Sequence, residues 1–252
     1  MKVNKIIVSQ PVPVGTERSP YCEIADKYQL QVEFRPFIKI EGVNAREFRQ
    51  YKIEILAHGA VFLTSKTAAD HYFRICEEMR IEVPDSMKYF CTSESIANYL
   101  QKYIIYRKRK IFFANKIDEL LDLMQKHKNE LIFLPLSDTH KPEIPKLLEK
   151  KKYNFTKVIL YRAVCSNLSD INIKDYDMLA FYSPAEIKSL FHNFPDYEQE
   201  TTKIACFGPT TIKAAKAAKL RVDVNAPRNN VPSLAMAIDL HLKDMAKKAM
   251  NK

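Results

Sequence analysis

The chain has four glycines in 252 residues, no tryptophan and no Cys-x-x-Cys pair. So few glycines leave no room for a Gly-rich phosphate loop, since such loops need several residues free of Cβ; Gly208 is the one in such a setting, between an apolar run and a helical stretch. The cysteines, at 22, 76, 91, 165 and 206, are odd in number and unpaired in spacing. That pattern points to a reducing compartment without a disulfide framework. Cys91 and Cys206 lie inside apolar runs, where a thiol packs as a small hydrophobe. The six histidines are scattered without metal-ligand spacing, so neither a metal nor a cofactor is expected. No apolar run approaches the ~20 residues of a membrane helix. Lys2 and Lys5 precede only Ile6-Ile7-Val8 before Pro11, too short a run for a secretory leader. The expectation is a soluble, cytoplasmic monomer.

Hydrophobic residues make up 46% of the chain and charged residues 28%, ordinary for a globular protein. Its length suffices for one large domain or two small ones. Forty basic residues against thirty acidic ones give a net charge of +10. That excess favours an anionic partner: nucleic acid, an acidic membrane or a polycarboxylate. Part of it sits in Lys247, Lys248 and Lys252, a solvated tail. The run Arg107-Lys108-Arg109-Lys110 reads first as a solvated turn and only second as a contact.

Apolar runs and helical periodicities alternate along the chain. A strand at 6–8 is followed by a proline-containing loop at 9–20 and a helix at 21–30. Residues 31–40 read as one strand interrupted by Pro36, which suits an edge or a connection. Glu41-Gly42-Val43 reads as a hinge. A helix at 45–56 carries Phe48, Tyr51, Ile55 and Leu56 on one face. Strands follow at 60–63, 88–91, 131–134 (closing on Pro135) and 156–164, separated by helices at 66–79, 94–102, 117–128 and 143–152. From Tyr176 the pattern restarts, with strands at 177–181, 204–207 and 220–224 and helices at 185–194, after Gly208, and at 231–243. Alternation of this length implies parallel sheets covered by helices on both faces.

Gly208-Pro209-Thr210-Thr211 breaks a buried strand and opens a helix. The N–H groups of a first helical turn have no partner inside the helix, so the turn can take an anion. A capped βαβ corner without a ligand fits the same residues.

The two halves repeat. GAVFLTSKTAADHYF (59–73) matches YDMLAFYSPAEIKSLF (176–191), with Ser65 and Ser183 118 residues apart. KYFCTSESIANYL (88–100) matches KIACFGPTTIKAA (203–215) at an offset of 115, with Lys88 over Lys203 and Cys91 over Cys206. Two units at nearly one offset point to a duplicated domain. Both copies put hydroxyls at strand ends and helix starts, where open α/β sheets bind ligands. Two such edges facing each other would form a cleft suited to a large anion.

FYSPAEIKSLF, IACFGPTTIKAAKAAKLRVDV and the segment 226–234 opening Ala226-Pro227 resemble the uroporphyrinogen-III synthase family, as do VFLTSKTAADHYF and the strand VILYRAV. All five occur in the family's order. The resemblance implies an α/β architecture: two similar α/β domains with parallel sheets joined by a two-stranded linker, one discontinuous in sequence. Residues 1–38 and 166–252 would form the first domain and 39–165 the second, with crossings at 35–43 and 161–168. The implied substrate is hydroxymethylbilane, a linear tetrapyrrole with eight carboxylates. The implied reaction loses the terminal hydroxyl, inverts the last pyrrole ring through a spiro intermediate and closes the macrocycle, without redox change or metal.

Tyr161 matches the family's tyrosine and is the candidate donor to the departing hydroxyl; without the resemblance it would read as a core tyrosine. Thr64, Ser65, Ser93, Ser95, Ser183, Pro184, Gly208, Pro209, Thr210, Thr211 and Arg228 are the candidate substrate-binding residues, although each hydroxyl can equally serve as an N-cap. Arg162 alternates with Tyr161 along its strand and is the weaker candidate. Two departures stand out. Ser93-Glu94-Ser95-Ile96 replaces the family's Gly-x-x-Thr turn, and Pro135-Leu136-Ser137 replaces Pro-Arg-Gly. Other readings are a nucleic-acid-binding protein, a two-domain small-molecule receptor and a catalytically inactive relative; nucleic acid and membrane are not the expected partners.

Overall fold

The structure is a computed structural model. It describes residues 3–13 and 19–250, with only the backbone of residues 249 and 250. Lys2, residues 14–18 of the proline-containing loop, and Lys252 of the basic tail lie outside the described residues. The chain divides into two compact units, one of Met1–Lys39 with Val164–Lys252 and one of Ile40–Ala163.

In chain order the elements are β1 (Lys5–Val8), α1 (Pro20–Tyr28), β2 (Gln31–Phe34), β3 (Ile38–Gly42), α2 (Ala45–Gln50), β4 (Ala60–Leu63), α3 (Lys66–Glu78), β5 (Lys88–Cys91), α4 (Glu94–Tyr99), β6 (Ile111–Phe113), α5 (Ile117–Met124), β7 (Ile132–Ser137), α6 (Glu143–Lys150), β8 (Phe155–Cys165), β9 (Met178–Phe181), α7 (Pro184–Asn193), β10 (Lys203–Phe207), α8 (Pro209–Ala217), β11 (Val222–Ala226) and α9 (Leu234–Met250). One sheet has the order β11-β10-β9-β1-β2 and the other β3-β8-β7-β4-β5-β6. Every pair in the first is parallel, as is every pair from β8 to β6 in the second.

Setting β9, β10 and β11 over β4, β5 and β6 makes β1 and β2 fall on β7 and β8, in the same spatial order. The duplication is therefore a full five-stranded unit. In one copy its first three strands come last in the chain. Strands β3 and β8 cross the boundaries between the units. Their pair is bracketed by Ser166 N–H donating to Phe37 O and Val43 N–H donating to Leu160 O, an antiparallel register.

Short strands buried on both faces explain why each sheet needs helices on both sides. Along β1, Ile6 and Val8 enter one core with Tyr21 of α1 and Ile238 of α9, while Ile7 enters the opposite core with Leu190 of α7 and Ala215 of α8. In β4, Val61 and Leu63 pack with Tyr72 of α3, and Ala60 and Phe62 with Leu120 of α5. The matched lysines are tied alike: Lys88 to Glu130 at 2.6 Å, and Lys203 to Asp223 at 3.4 Å.

Several expected boundaries shift for local reasons. The helix foreseen over 45–56 stops at Gln50, because Lys52 takes a left-handed conformation (φ 53°); Leu56, expected on its buried face, is 52% exposed. The strand foreseen over 31–40 is two strands, with Phe37 buried between them. Pro135 lies inside β7 rather than ending it. It is tolerated because the ladder to β4 ends at Phe133, so on that side the missing N–H falls beyond the paired region. Residues 220 and 221 stay outside β11, since the left-handed Lys219 (φ 60°) turns the chain there.

His58, 4% exposed, anchors the entry to β4. Its Nδ1 lies 2.9 Å from Glu54 O and its Nε2 2.9 Å from Thr156 Oγ1. A carbonyl can only accept, so Nδ1 carries the proton and Nε2 accepts from the threonine. Burial holds this imidazole below the usual histidine range, against the pull of the two backbone carbonyls. The unfolded chain then takes up a proton that the folded chain refuses, so stability is full above about pH 6.5 and falls below it. His58→Gln should be less stable than the parent at pH 8 and lose less between pH 8 and pH 5.5. Thermal melts at the two pH values would show this; parallel losses in the two proteins would refute it.

Candidate active site

In the 40–163 unit the expected residues lie at the carboxyl ends of β4 and β5 and, for Tyr161, within β8 beside the end of β7. Ser65 is the N-cap of α3, its Oγ accepting from Ala68 N–H at 3.0 Å in extended backbone (φ −159°, ψ 162°). Ser93 caps α4 with nearly the same backbone (φ −161°, ψ 158°), accepting from Ile96 N–H at 3.4 Å. Ser95 is exposed in that first turn, and Thr64 is half-buried. Tyr161, 8% exposed, comes in from β8 with its hydroxyl 3.3 Å from Ser65 Oγ. The imidazole of His71 stacks on its ring, centroids 4.9 Å apart and planes 15° from parallel. Arg162 turns away, as the alternation predicts, and makes a two-pronged ion pair with Glu47, which holds that carboxyl below its usual range. Its guanidinium is thus committed to a structural partner.

In the other unit the expected residues lie at the carboxyl ends of β9, β10 and β11. Ser183 precedes α7 in the same extended conformation (φ −146°, ψ 156°), with exposed Pro184 as the first helical residue. Its hydroxyl is buried and makes no hydrogen bond of ordinary geometry. The turn is organised by Glu186, 1% exposed. One carboxylate oxygen accepts from Tyr182 N–H (2.6 Å), Ser183 N–H (3.1 Å) and Ser9 Oγ (2.5 Å), the other from Gln10 Nε2 (2.7 Å). Burial pushes this carboxyl up, while the donors oppose that rise. Glu186 thereby ties the end of β1 to the end of β9. Sequence reasoning missed it, although Ser183-Pro184-Ala185-Glu186 spells a capping box.

Gly208 sits at φ 84°, ψ 149°, a region essentially reserved for glycine, and its own N–H donates to Ala226 O at 2.6 Å. Ile212 N–H is the first in α8 to find a backbone acceptor, at Gly208 O, and Pro209 has no N–H to offer. The N–H groups of Thr210 and Thr211 are therefore left at the helix start without an intrahelical acceptor. Thr210 and Pro209 are exposed. Thr211 is 1% exposed, with its hydroxyl turned inward and unpartnered. Its counterpart in the other copy, Ile96, is likewise buried at 7% exposure. Arg228, exposed, exchanges backbone hydrogen bonds with Val231 in the loop after β11.

A cavity of about 610 Å³ lies on the α1 and α9 side of the same sheet end, lined by Val8, Tyr21, Phe34, Tyr182, Phe207 and Leu234 among others. Tyr21 and Tyr182 share a hydroxyl–hydroxyl hydrogen bond of 2.6 Å there. Ser183, Gly208, Thr210, Thr211 and Arg228 are not part of this lining. Among the described residues no three His, Cys, Asp or Glu side chains come together as metal ligands, and no helix is long and apolar enough to cross a membrane. In the basic run, Arg107 and Lys110 both approach Asp85, at 3.1 and 3.9 Å.

A family model described as uroporphyrinogen-III synthase HemD matches residues 19–236. The chain belongs to the uroporphyrinogen-III synthase family. Solved structures agree on the fold. Uroporphyrinogen-III synthetase from Helicobacter pylori superposes with a TM-score of 0.56 at 13% identity, covering 95% of this chain and 99% of that one. A mutant uroporphyrinogen III synthase from the thermophilic bacterium Thermus thermophilus does so with a TM-score of 0.50 at 14% identity, covering 97% and 99%. No curated protein sequence matches the chain. Against the family pattern, the isoleucine at 96 sits where both copies turn a side chain inward, so the departure there leaves the capping hydroxyl of Ser93 in place.

A Cβ added at Gly208 would meet nothing within 4 Å, so substitution there acts through the backbone alone. Gly208→Ala should lower stability by about 1–3 kcal/mol, the range for a residue held in such a region. Urea denaturation measures this, and an unchanged midpoint would show that the turn relaxes freely.

Proposed function

We propose that the protein is a uroporphyrinogen-III synthase, a lyase that cyclises hydroxymethylbilane to uroporphyrinogen III with loss of water and inversion of the last pyrrole ring. Membership of the family carries the reading. It is supported by the position of Tyr161, whose hydroxyl stands beside Ser65 at a sheet end where Ser65 and Ser93 cap helices.

The chemistry asks for positioning and for help to a leaving group. The terminal C–O bond breaks and the hydroxyl leaves as water, taking one proton. The methylene left behind is electrophilic, and attack by the substituted carbon of the last ring gives the spiro intermediate. Reopening and closure then restore the pyrrole and release one proton, so no electrons are exchanged overall. The bilane closes unaided to the uninverted isomer, so the enzyme's task is to hold the curled chain in one geometry. Such positioning can supply on the order of 7–11 kcal/mol at its upper end. Tyr161 would donate to the departing oxygen, with Ser65 holding the phenol's direction. Carboxylates would be taken by the N–H groups of Thr210 and Thr211, the hydroxyl of Thr210, the side chain of Arg228 and the hydroxyl turns at Thr64, Ser65, Ser93 and Ser95. Pro184 and Pro209 would shape the turns around Ser183 and Gly208. Buried Thr211 contributes its backbone, since its side chain points into the core.

Incubating the purified protein with freshly made hydroxymethylbilane and resolving the products by chromatography tests this. Isomer III is expected; isomer I alone, as an inactive relative would give, defeats the assignment. Tyr161→Phe should lower kcat by on the order of a hundredfold, the lower end for a lost proton donor, and change product affinity much less. Equal turnover in that variant removes Tyr161 from the mechanism.

A further inference from the structure

The surroundings of Tyr161 contain more than the proposed mechanism uses. Behind its ring lies the imidazole of His71, stacked at 4.9 Å and 15°. His71 is itself held: Nδ1 accepts from Arg74 Nε at 3.1 Å. An accepting Nδ1 places the ring proton on Nε2, so the imidazole is neutral. Burial, and then the adjacent Arg74 charge, hold its pKa below the usual histidine range. The other guanidinium nitrogens are also engaged. Nη2 donates to Val43 O at 2.6 Å, and Nη1 pairs with Glu78 one turn along α3.

The guanidinium fills the space beside Gly42. A Cβ there would sit 2.5 Å from Arg74 Nη2, 2.7 Å from Cζ and 2.8 Å from Nε. Gly42 has no positive φ, so its lack of a side chain serves this close approach rather than an unusual backbone. Gly42, Arg74, His71, Tyr161 and Ser65 thus form one contact chain within the 40–163 unit.

We propose that His71 is a positioning residue for Tyr161, and that Arg74, seated against Gly42, fixes the imidazole on which the tyrosine ring rests. A stacked ring restrains the tilt of the phenol in a way that one hydrogen bond at 3.3 Å to Ser65 does not, because the bond leaves the ring free to turn about it. The proposal rests on the mechanistic role given to Tyr161, but its structural half can be read without turnover.

The test uses the full chain with ring-labelled tyrosine, assigning the Tyr161 signal as the one missing from Tyr161→Phe. In the parent this signal should be shifted upfield by the stacked imidazole. It should move toward the unstacked position in His71→Ala, stay near its place in His71→Phe, which keeps a ring, and move in Gly42→Ala, which displaces the flexible end of Arg74 without opening the core. An unmoved signal in His71→Ala and Gly42→Ala overturns the proposal. In the isomer assay His71→Ala should lose on the order of ten- to a hundredfold in kcat with KM little changed, and His71→Phe should recover most of it. Tyr161→Phe with His71→Ala should be no slower than Tyr161→Phe alone. Losses that multiply in the double variant overturn the proposal, since the histidine would then act independently of the tyrosine. Failure of the parent to make isomer III, or full activity in Tyr161→Phe, would instead defeat the functional reading, and the tyrosine signal would still report on the stack. Should His71→Ala fail to fold, His71→Phe and Gly42→Ala carry both readouts.

Discussion

Parallel pairing of short, doubly buried strands is the constraint from which the rest follows. Two parallel neighbours cannot be joined by a hairpin, so each connection must cross a face of the sheet, and here it does so as a helix. Helices must cover both faces, because strands such as β4 and β9 are apolar on each side. The parallel strands then end on one edge of their sheet, and the helices that connect them start there. The turns of that edge collect backbone N–H groups that their helices cannot satisfy. The capacity to take an anion comes with this topology before any side chain is chosen.

Side chains then decide which of those groups remain available. At Ser65 and Ser93 the hydroxyl satisfies an N–H of its own helix, so these serines act first as caps. At Ser183 the carboxylate of Glu186 reaches back to the backbone N–H groups ahead of the helix, and its burial makes that turn rigid. At Gly208 there is no capping side chain at all, and the first N–H after the proline is left for something outside the helix. The four turns look alike in sequence, as strand, small residue and helix. They differ in how much binding capacity they spend on their own stability, and the glycine turn spends least.

Much of this was legible from the sequence because it depends on local patterns. Apolar runs located most of the strands, although β7 runs three residues further than expected, 31–40 is two strands and β6 was not foreseen; the matched segments pointed to the duplication. The hydroxyl residues were placed at the strand ends correctly. What the sequence did not carry were contacts across long separations. His71 reads as one more histidine on a helix, and its partner Tyr161 is on a strand far along the chain. Alternation marked Arg162 as the weaker candidate, but it could not show that Glu47 takes it. Two of the boundary errors share a second cause. Lys52 and Lys219 adopt left-handed conformations that lysine does not advertise, and each ended or delayed an element that periodicity would have continued. Thr211 was misleading for a third reason: a hydroxyl after a glycine suggests a donor, but helical phase points it inward, as it does Ile96.

Gly42 and Gly208 show how little a residue's identity says about its reason. Gly208 has open space around it and a backbone conformation that side chains resist. Gly42 has an ordinary backbone and no space, because a guanidinium occupies the volume a methyl group would need. Substitution at the first strains the main chain and leaves its neighbours in place; substitution at the second leaves the main chain alone and moves Arg74. In the first case the damage falls on the turn itself and its N–H groups. In the second it passes along Arg74 and His71 to the ring of Tyr161. A sequence pattern can mark one as a turn and the other as a hinge, but only the three-dimensional surroundings separate a glycine whose backbone shapes a helix start from one that makes room for a guanidinium.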